Sequence, residues 1–247
     1  MAANHTITYY HDSKMQREYY ILKTKASNIK LVSFFREAGT PSAKNIRDTS
    51  YYGINGSYFD TSNFRIQNIA FQDGQPLYSI NSTLPDATKN ECGNSVVFWD
   101  GQKLGYADGI TYGTPDTLPR NSGSWTQGGF GLYLGDSGWL NKYNAQSASN
   151  SVNVNEGSWR SAMLINLSTN DVYLFYARTS TTNISELRHG MMSFVGLSDG
   201  NPPANTVWKG LLLDGGRSAQ LRGEGLSVYA TILPRAVPQI IALRNNS

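Results

Sequence analysis

The sequence predicts an α+β fold: one strand-rich domain over residues 1–247, with a mixed or antiparallel sheet core and few helices. Three observations carry this. The 247 residues include 24 glycines and 15 tyrosines, a bias toward turns and toward side chains that suit a pleated surface. Apolar residues come in short runs broken by Gly, Pro, Asn and Asp, not in long stripes of helical period. No change of composition divides the chain, and its length lets it bury most of the surface an unfolded form exposes.

The first three strands are expected at residues 6–11, 18–25 and 29–35, rich in Tyr and Ile and separated by polar breaks. After the connection TPSAKN comes the aromatic cluster YYGINGSYFD at 51–60, where Asn55 and Gly56 read as a turn suited to positive backbone dihedrals. RIQNIAF with DGQP, and SVVFWDGQKLGYA with its own DG, read as hairpins. Residues 107–127, poor in large aliphatics, read as a long surface loop. GFGLYLGDSGW at 129–139 supplies another strand and turn, and the polar tract 141–155 a second long loop. RSAMLINLSTNDVYLFYAR at 160–178 is a hairpin around STND. The one strong helix has Asn183 as N-cap, Glu186 three residues on, and Leu187, Met191, Phe194 and Val195 at helical spacing before Gly196. Strands at 207–214, 226–233 and 238–244 close the chain.

Lys and Arg number 21 against 18 Asp and Glu, without the basic stripe of a nucleic-acid binder. Residues 1–50 hold eight basic and four acidic side chains, 51–200 eight and twelve, and 201–247 five and two. A fold that brought the basic ends together would present a surface attractive to phosphate; scattered solvated charges are the alternative. The single cysteine, Cys92, excludes an internal disulfide, and no feature singles out His5, His11 or His189 as a base to activate it. No leader-like opening and no run of about 18 apolar residues is present. A soluble chain with no membrane partner is the expectation, its compartment left open.

The most informative stretch is KGLLLDGGRSAQ at 209–220. A buried strand ending this way places a carboxylate, a guanidinium and bare backbone N–H groups at its mouth, an arrangement suited to an anionic group. A strand followed by an ordinary glycine turn is the structural alternative.

Four segments together, in order over residues 50–245, resemble the phosphodiester glycosidase family. GINGSYF is similar to its N-G-G-F-F-like signature, GFGLYLGDSG to its central strand and turn, WRSAMLIN to its P-R-T-A-x-G segment, and LLLDGGRSAQL to its L-D-G-G-G-S-S segment. Ser57 departs from the second glycine of NGG, Trp159 from the proline, and Arg217 and Ala219 from a glycine and a serine. The resemblance implies an enzyme, a glycosidase that breaks the glycosidic bond of a sugar phosphodiester and releases free sugar and a phosphomonoester. Two other readings stay open: a non-catalytic module binding a sugar phosphate or anionic polysaccharide, and a phosphodiesterase breaking the P–O bond of a nucleotide or cell-wall polymer. The expected partner is a small or polymeric glycosyl phosphodiester, with no sequence-specific nucleic acid.

On this reading Asp214 is the general base, tuned by burial and a nearby arginine; capping local N–H groups is its plainer role. Arg160 grips phosphate at the sheet rim, or packs its stem on Trp159. Asn55 donates to a sugar hydroxyl or phosphate oxygen, with Gly56 and Ser57 beside it in the binding turn. Tyr58 offers a ring face to a sugar, or belongs to the core. Asp60 is a second acid, or the cap of the next turn. Gly215, Gly216, Arg217 and Ser218 supply anion donors. No cofactor is expected and no metal site is predicted, with a divalent cation such as calcium left open: Asp60 and Asp214 are oxygen donors of the kind calcium accepts, but no spaced ligand motif accompanies them.

Overall fold

The computed structural model describes residues 4–34, 42–77, 88–113, 118–146, 152–200 and 204–244. Residue 35 of the expected third strand, residues 114–117 and 147–151 of the two expected loops, and residues 201–203 lie outside them.

Among the described residues fifteen strands and two α-helices follow in order. They are β1 His5–Asp12, β2 Arg17–Lys25, β3 Ile29–Ser33, β4 Gly53–Asn55, β5 Ala70–Gln72, β6 Gln75–Pro76, β7 Ser95–Trp99, β8 Leu104–Ala107 and β9 Trp125–Gly131. Then come α1 Trp139–Ala145, β10 Ser161–Asn166, β11 Asp171–Ala177, α2 Ile184–Phe194, β12 Trp208–Leu212, β13 Gln220–Gly223, β14 Leu226–Tyr229 and β15 Gln239–Leu243. Ten strands form one sheet, along the path β1-β2-β11-β10-β12-β9-β5-β6 with β7 pairing β9 and β8 pairing β7. Five form a second, in the order β14-β13-β4-β15-β3. Every ladder between these strands is antiparallel, so the core is mostly β, and the mixed alternative does not apply to the named strands.

The expected hairpins stand, including the DG turn between β5 and β6, where Asp73 and Gly74 both take positive φ (54° and 72°) as a tight two-residue turn requires. Strands β10 and β11 are buried along their whole length because both faces are covered, which is why they read as unbroken apolar runs. Met163, Ile165, Val172 and Leu174 point into the core shared with Ile54, Leu221 and Ile241 of the second sheet. Ala162, Leu164, Phe175 and Ala177 point into a core shared with Leu187 and Met191 of α2. The large sheet therefore lies between the small sheet and the helices.

Two sequence expectations are corrected. The tract 141–155, read as loop, begins inside α1, whose Tyr143 is buried in a 28° stack on Phe130 with 5.4 Å between centroids. The turn at Asn55 and Gly56 is instead the end of β4, and Gly56 does not take positive φ. Glycine is required at 56 by a close approach: a Cβ there would lie 1.8 Å from the Gln239 amide oxygen.

Candidate active site

Side chains alternate along β12 and its extension. Leu211 and Leu213 face the second sheet, while Leu212 faces the helices, so Asp214 emerges on the side of Leu212. The Asp214 N–H donates to the Gly56 carbonyl at 3.1 Å and the Leu213 N–H to the Ser161 carbonyl at 3.0 Å. The chain then enters a 3-10 turn, Gly216–Ser218, tied down by the Gly216 N–H on the Trp159 carbonyl at 2.8 Å. Gly216 has φ +57°, a conformation that costs other residues more than glycine. The ends of β4 and β12 and the start of β10 thus converge at one edge of the sheets.

Asn55 holds this junction together. It is fully buried; its amide donates to the Asp214 carbonyl at 2.7 Å, and its oxygen accepts from the Ser161 hydroxyl at 2.7 Å and the Gln220 N–H at 3.1 Å. Its amide oxygen is thus committed to the protein. Ser57 is buried too, its N–H on the Gln239 side chain at 2.6 Å and its hydroxyl accepting from Gln127 at 2.9 Å. These two residues and Gly56 position the strand ends.

Asp214 is half-buried, and burial pushes its carboxyl up from 3.8 to about 6, against the opposing influence of the Ser218 hydroxyl, the Gly215 N–H, and the charges of Arg235 and Arg160. Its Oδ1 accepts from the Gly215 N–H at 2.9 Å. Arg160, 4 % exposed, donates from Nε to the Thr182 carbonyl at 3.3 Å and from Nη2 to the Glu156 carbonyl at 2.5 Å. Those bonds aim the guanidinium while Nη1 lies beside Gly215 without a protein acceptor among the described residues. The Arg235 guanidinium has no such acceptor either. Neither arginine makes a direct ion pair with Asp214, yet both favour its ionised form.

Two hydroxyls complete the arrangement. The Tyr58 oxygen and Ser218 Oγ are both buried with no well-formed hydrogen bond, a costly state that a polar ligand would relieve. The Tyr58 ring packs in a T-shaped pair with Phe130 at 5.5 Å, so the ring belongs to the core, and its phenol feels the charges of Asp214 and Arg160. Burial raises that phenol well above its ordinary value; Tyr143 and Asp214 add to this and Arg160 opposes it.

The remaining expected residues sit differently. The N–H groups of Gly215, Gly216 and Ser218 are spent on Asp214, Trp159 and Gly215, so the expectation of bare backbone donors is corrected to the Arg217 N–H alone. The Arg217 side chain is exposed and reaches the Leu233 carbonyl at 3.3 Å. Asp60 accepts from the N–H and hydroxyl of Ser62 at 2.8 and 2.7 Å; the Ser62 bonds hold its carboxyl below the usual range. It works as a turn cap. Among the described residues no group of three His, Cys, Asp or Glu side chains is placed to hold a metal. Arg235 was not singled out by the sequence; the excess of five basic over two acidic residues in 201–247 was its only trace.

A large antiparallel sheet backed by a smaller one defines the class: the chain shares its fold with a glycosidase catalytic domain. That domain belongs to zebrafish N-acetylglucosamine-1-phosphodiester alpha-N-acetylglucosaminidase, auto-inhibited by its pro-peptide, and superimposes with a TM-score of 0.61 at 14% identity, covering 98% of this chain and 83% of that one. A hypothetical protein from Synechocystis aligns over 96% of this chain and 61% of its own at 13% identity, with a TM-score of 0.49 that is too low to argue from. No protein-family model and no curated protein matches the sequence. The likeness speaks for the fold. No helix among the described residues is long and apolar enough to cross a membrane.

Proposed function

We propose that this protein is a hydrolase that cleaves the glycosidic bond of a sugar phosphodiester. The observation that carries the reading is Asp214: a carboxyl raised to about 6 that feels the charges of two guanidiniums not ion-paired to it. A group with that affinity for protons is poised to accept one from water near neutral pH. Water attacks the anomeric carbon, Asp214 takes its proton, and the C1–O electron pair leaves with the phosphate. The departing phosphomonoester has its second ionisation near pH 6, so a strong general acid is dispensable and the pair of carboxylates used by most glycosidases is not needed. Arg160, Arg235, the unpartnered Tyr58 hydroxyl and the Ser218 hydroxyl that acts on Asp214 supply donors where negative charge collects.

Product analysis on a panel of glycosyl phosphodiesters tests this. Free sugar plus phosphomonoester is expected, with kcat/KM falling about tenfold per pH unit below about 6, and Asp214→Asn should lower kcat by roughly a hundredfold or more. Sugar phosphate plus alcohol would mean P–O cleavage; no turnover with tight binding would mean a binding module. Near-normal turnover by a folded Asp214→Asn protein removes Asp214 as base.

A further inference from the structure

The loop between β14 and β15 carries two adjacent aliphatic side chains in water: Ile232 is 91 % and Leu233 70 % exposed. The other exposed large hydrophobics among the described residues are single side chains elsewhere, Tyr9, Tyr112 and Leu140, and isolated cases need no explanation. An Ile–Leu pair at a loop tip is different. Neither side chain belongs to a core cluster of the described residues, whereas the ends of the loop are anchored. The Ala230 N–H donates to the Ala219 carbonyl at 2.9 Å and the Arg235 N–H to the Arg217 carbonyl at 2.8 Å, and the Gln220 amide donates to the Arg235 carbonyl at 2.7 Å. The tip is held out by a braced stem.

The charges beside the tip are positive. Arg217 reaches the Leu233 carbonyl, and Arg235 follows at the base with no acceptor for its guanidinium. Arg47 lies over the Tyr229 ring at 5.4 Å, next to Ile46, whose N–H is held by the same Gln220 side chain at 2.9 Å. Arg47 also pairs with its chain neighbour Asp48 at 3.6 Å, and the carboxylates nearest the loop and Arg217 along the chain are Glu224 and Asp214.

We infer that the loop of residues 230–235 docks this end of the protein on an anionic lipid surface, Ile232 and Leu233 entering the headgroup boundary and Arg217 and Arg47 facing lipid phosphates. Aliphatic burial and cation attraction reinforce each other there. The sequence expectation of no membrane partner came from the lack of a spanning segment, and a two-residue tip leaves no such signal. Because the Arg235 charge at the base of the loop acts on Asp214, docking brings the site toward the lipid surface; that a lipid-borne phosphodiester is then the substrate rests on the hydrolase reading, whereas docking itself does not.

Flotation of the protein with mixed phosphatidylcholine–phosphatidylglycerol vesicles, against pure phosphatidylcholine, tests the inference. Binding to the anionic vesicles is expected, weakened by salt, and the double variant Ile232→Ser, Leu233→Ser should weaken it roughly tenfold or more while leaving melting temperature and turnover of a soluble substrate unchanged. Asp214→Asn should bind vesicles like the parent even when turnover is lost, which separates this inference from the hydrolase reading. No binding to anionic vesicles, or binding indifferent to the double variant, overturns it. So does a dimer that dissociates when the two aliphatics are replaced, since a second copy would then be the occupant.

Discussion

Asp214 keeps its proton to about pH 6 because its carboxyl is surrounded by protein and the nearby cations compensate only in part. The folded value lies above the ordinary 3.8, so the fold binds a proton more tightly than the unfolded chain does. Its stabilising contribution is fully present below about 3.8 and is lost as pH rises through about 6. At neutral pH the charged carboxylate is a burden on the fold. Asp214→Asn is therefore expected to be more stable than the parent at pH 7.5, on the order of 2 kcal/mol after allowing for partial exposure, with the gain vanishing near pH 4. Urea titrations at the two pH values measure it, and equal stability at both would refute burial as the cause of the shift. The places of Asp214 and Arg160 at strand ends were legible because each sits at the junction of an apolar run and a polar segment, while the roles proposed for them leaned on the family resemblance. Arg235 was not legible, since no motif surrounds it, and Tyr58 was read for its ring, which packs on the core, with its buried hydroxyl left out.

At the scale of elements, α2 was legible because its start is chemically encoded. The Asn183 side chain accepts from the Glu186 N–H at 2.9 Å while Glu186 accepts from the Asn183 N–H at 2.8 Å, and Glu186 also pairs with Arg17 at 2.8 Å. Asn183→Ala should lower stability by about 1 kcal/mol, read as a shifted denaturation midpoint with unchanged slope; no shift would mean that tertiary packing alone sets the helix start. Helix α1 was not legible: its N-cap, Gly138, makes no side-chain cap, and the burial of Tyr143 depends on Phe130 from β9. Strand β13, QLRG, was missed as well, four residues being too few for an alternation to register.

Across the whole molecule, the two sheets are joined at the site by buried amides. Gln239 of β15 holds the Ser57 N–H at 2.6 Å and donates to Gln127 of β9 at 3.2 Å, and Gln127 donates to Ser57. Gly56 sits against this network, so a methyl group there must displace a side chain carrying several buried hydrogen bonds. Gly56→Ala is expected to destabilise by about 1–3 kcal/mol, measured by thermal or urea unfolding; a neutral effect would show that Gln239 is free to move.

What the sequence by itself determined is local: the hairpins, the capped helix, and an acid and an arginine at strand ends, each written in periods and turn residues a few positions long. The tertiary structure alone decided that β4, β13 and β15 lie side by side in a second sheet, and that the Arg235 charge and the Tyr58 phenol both act with Asp214. Those pairings join residues up to about two hundred positions apart, where registry is chosen by burial of whole faces and leaves no mark in any short stretch of chain.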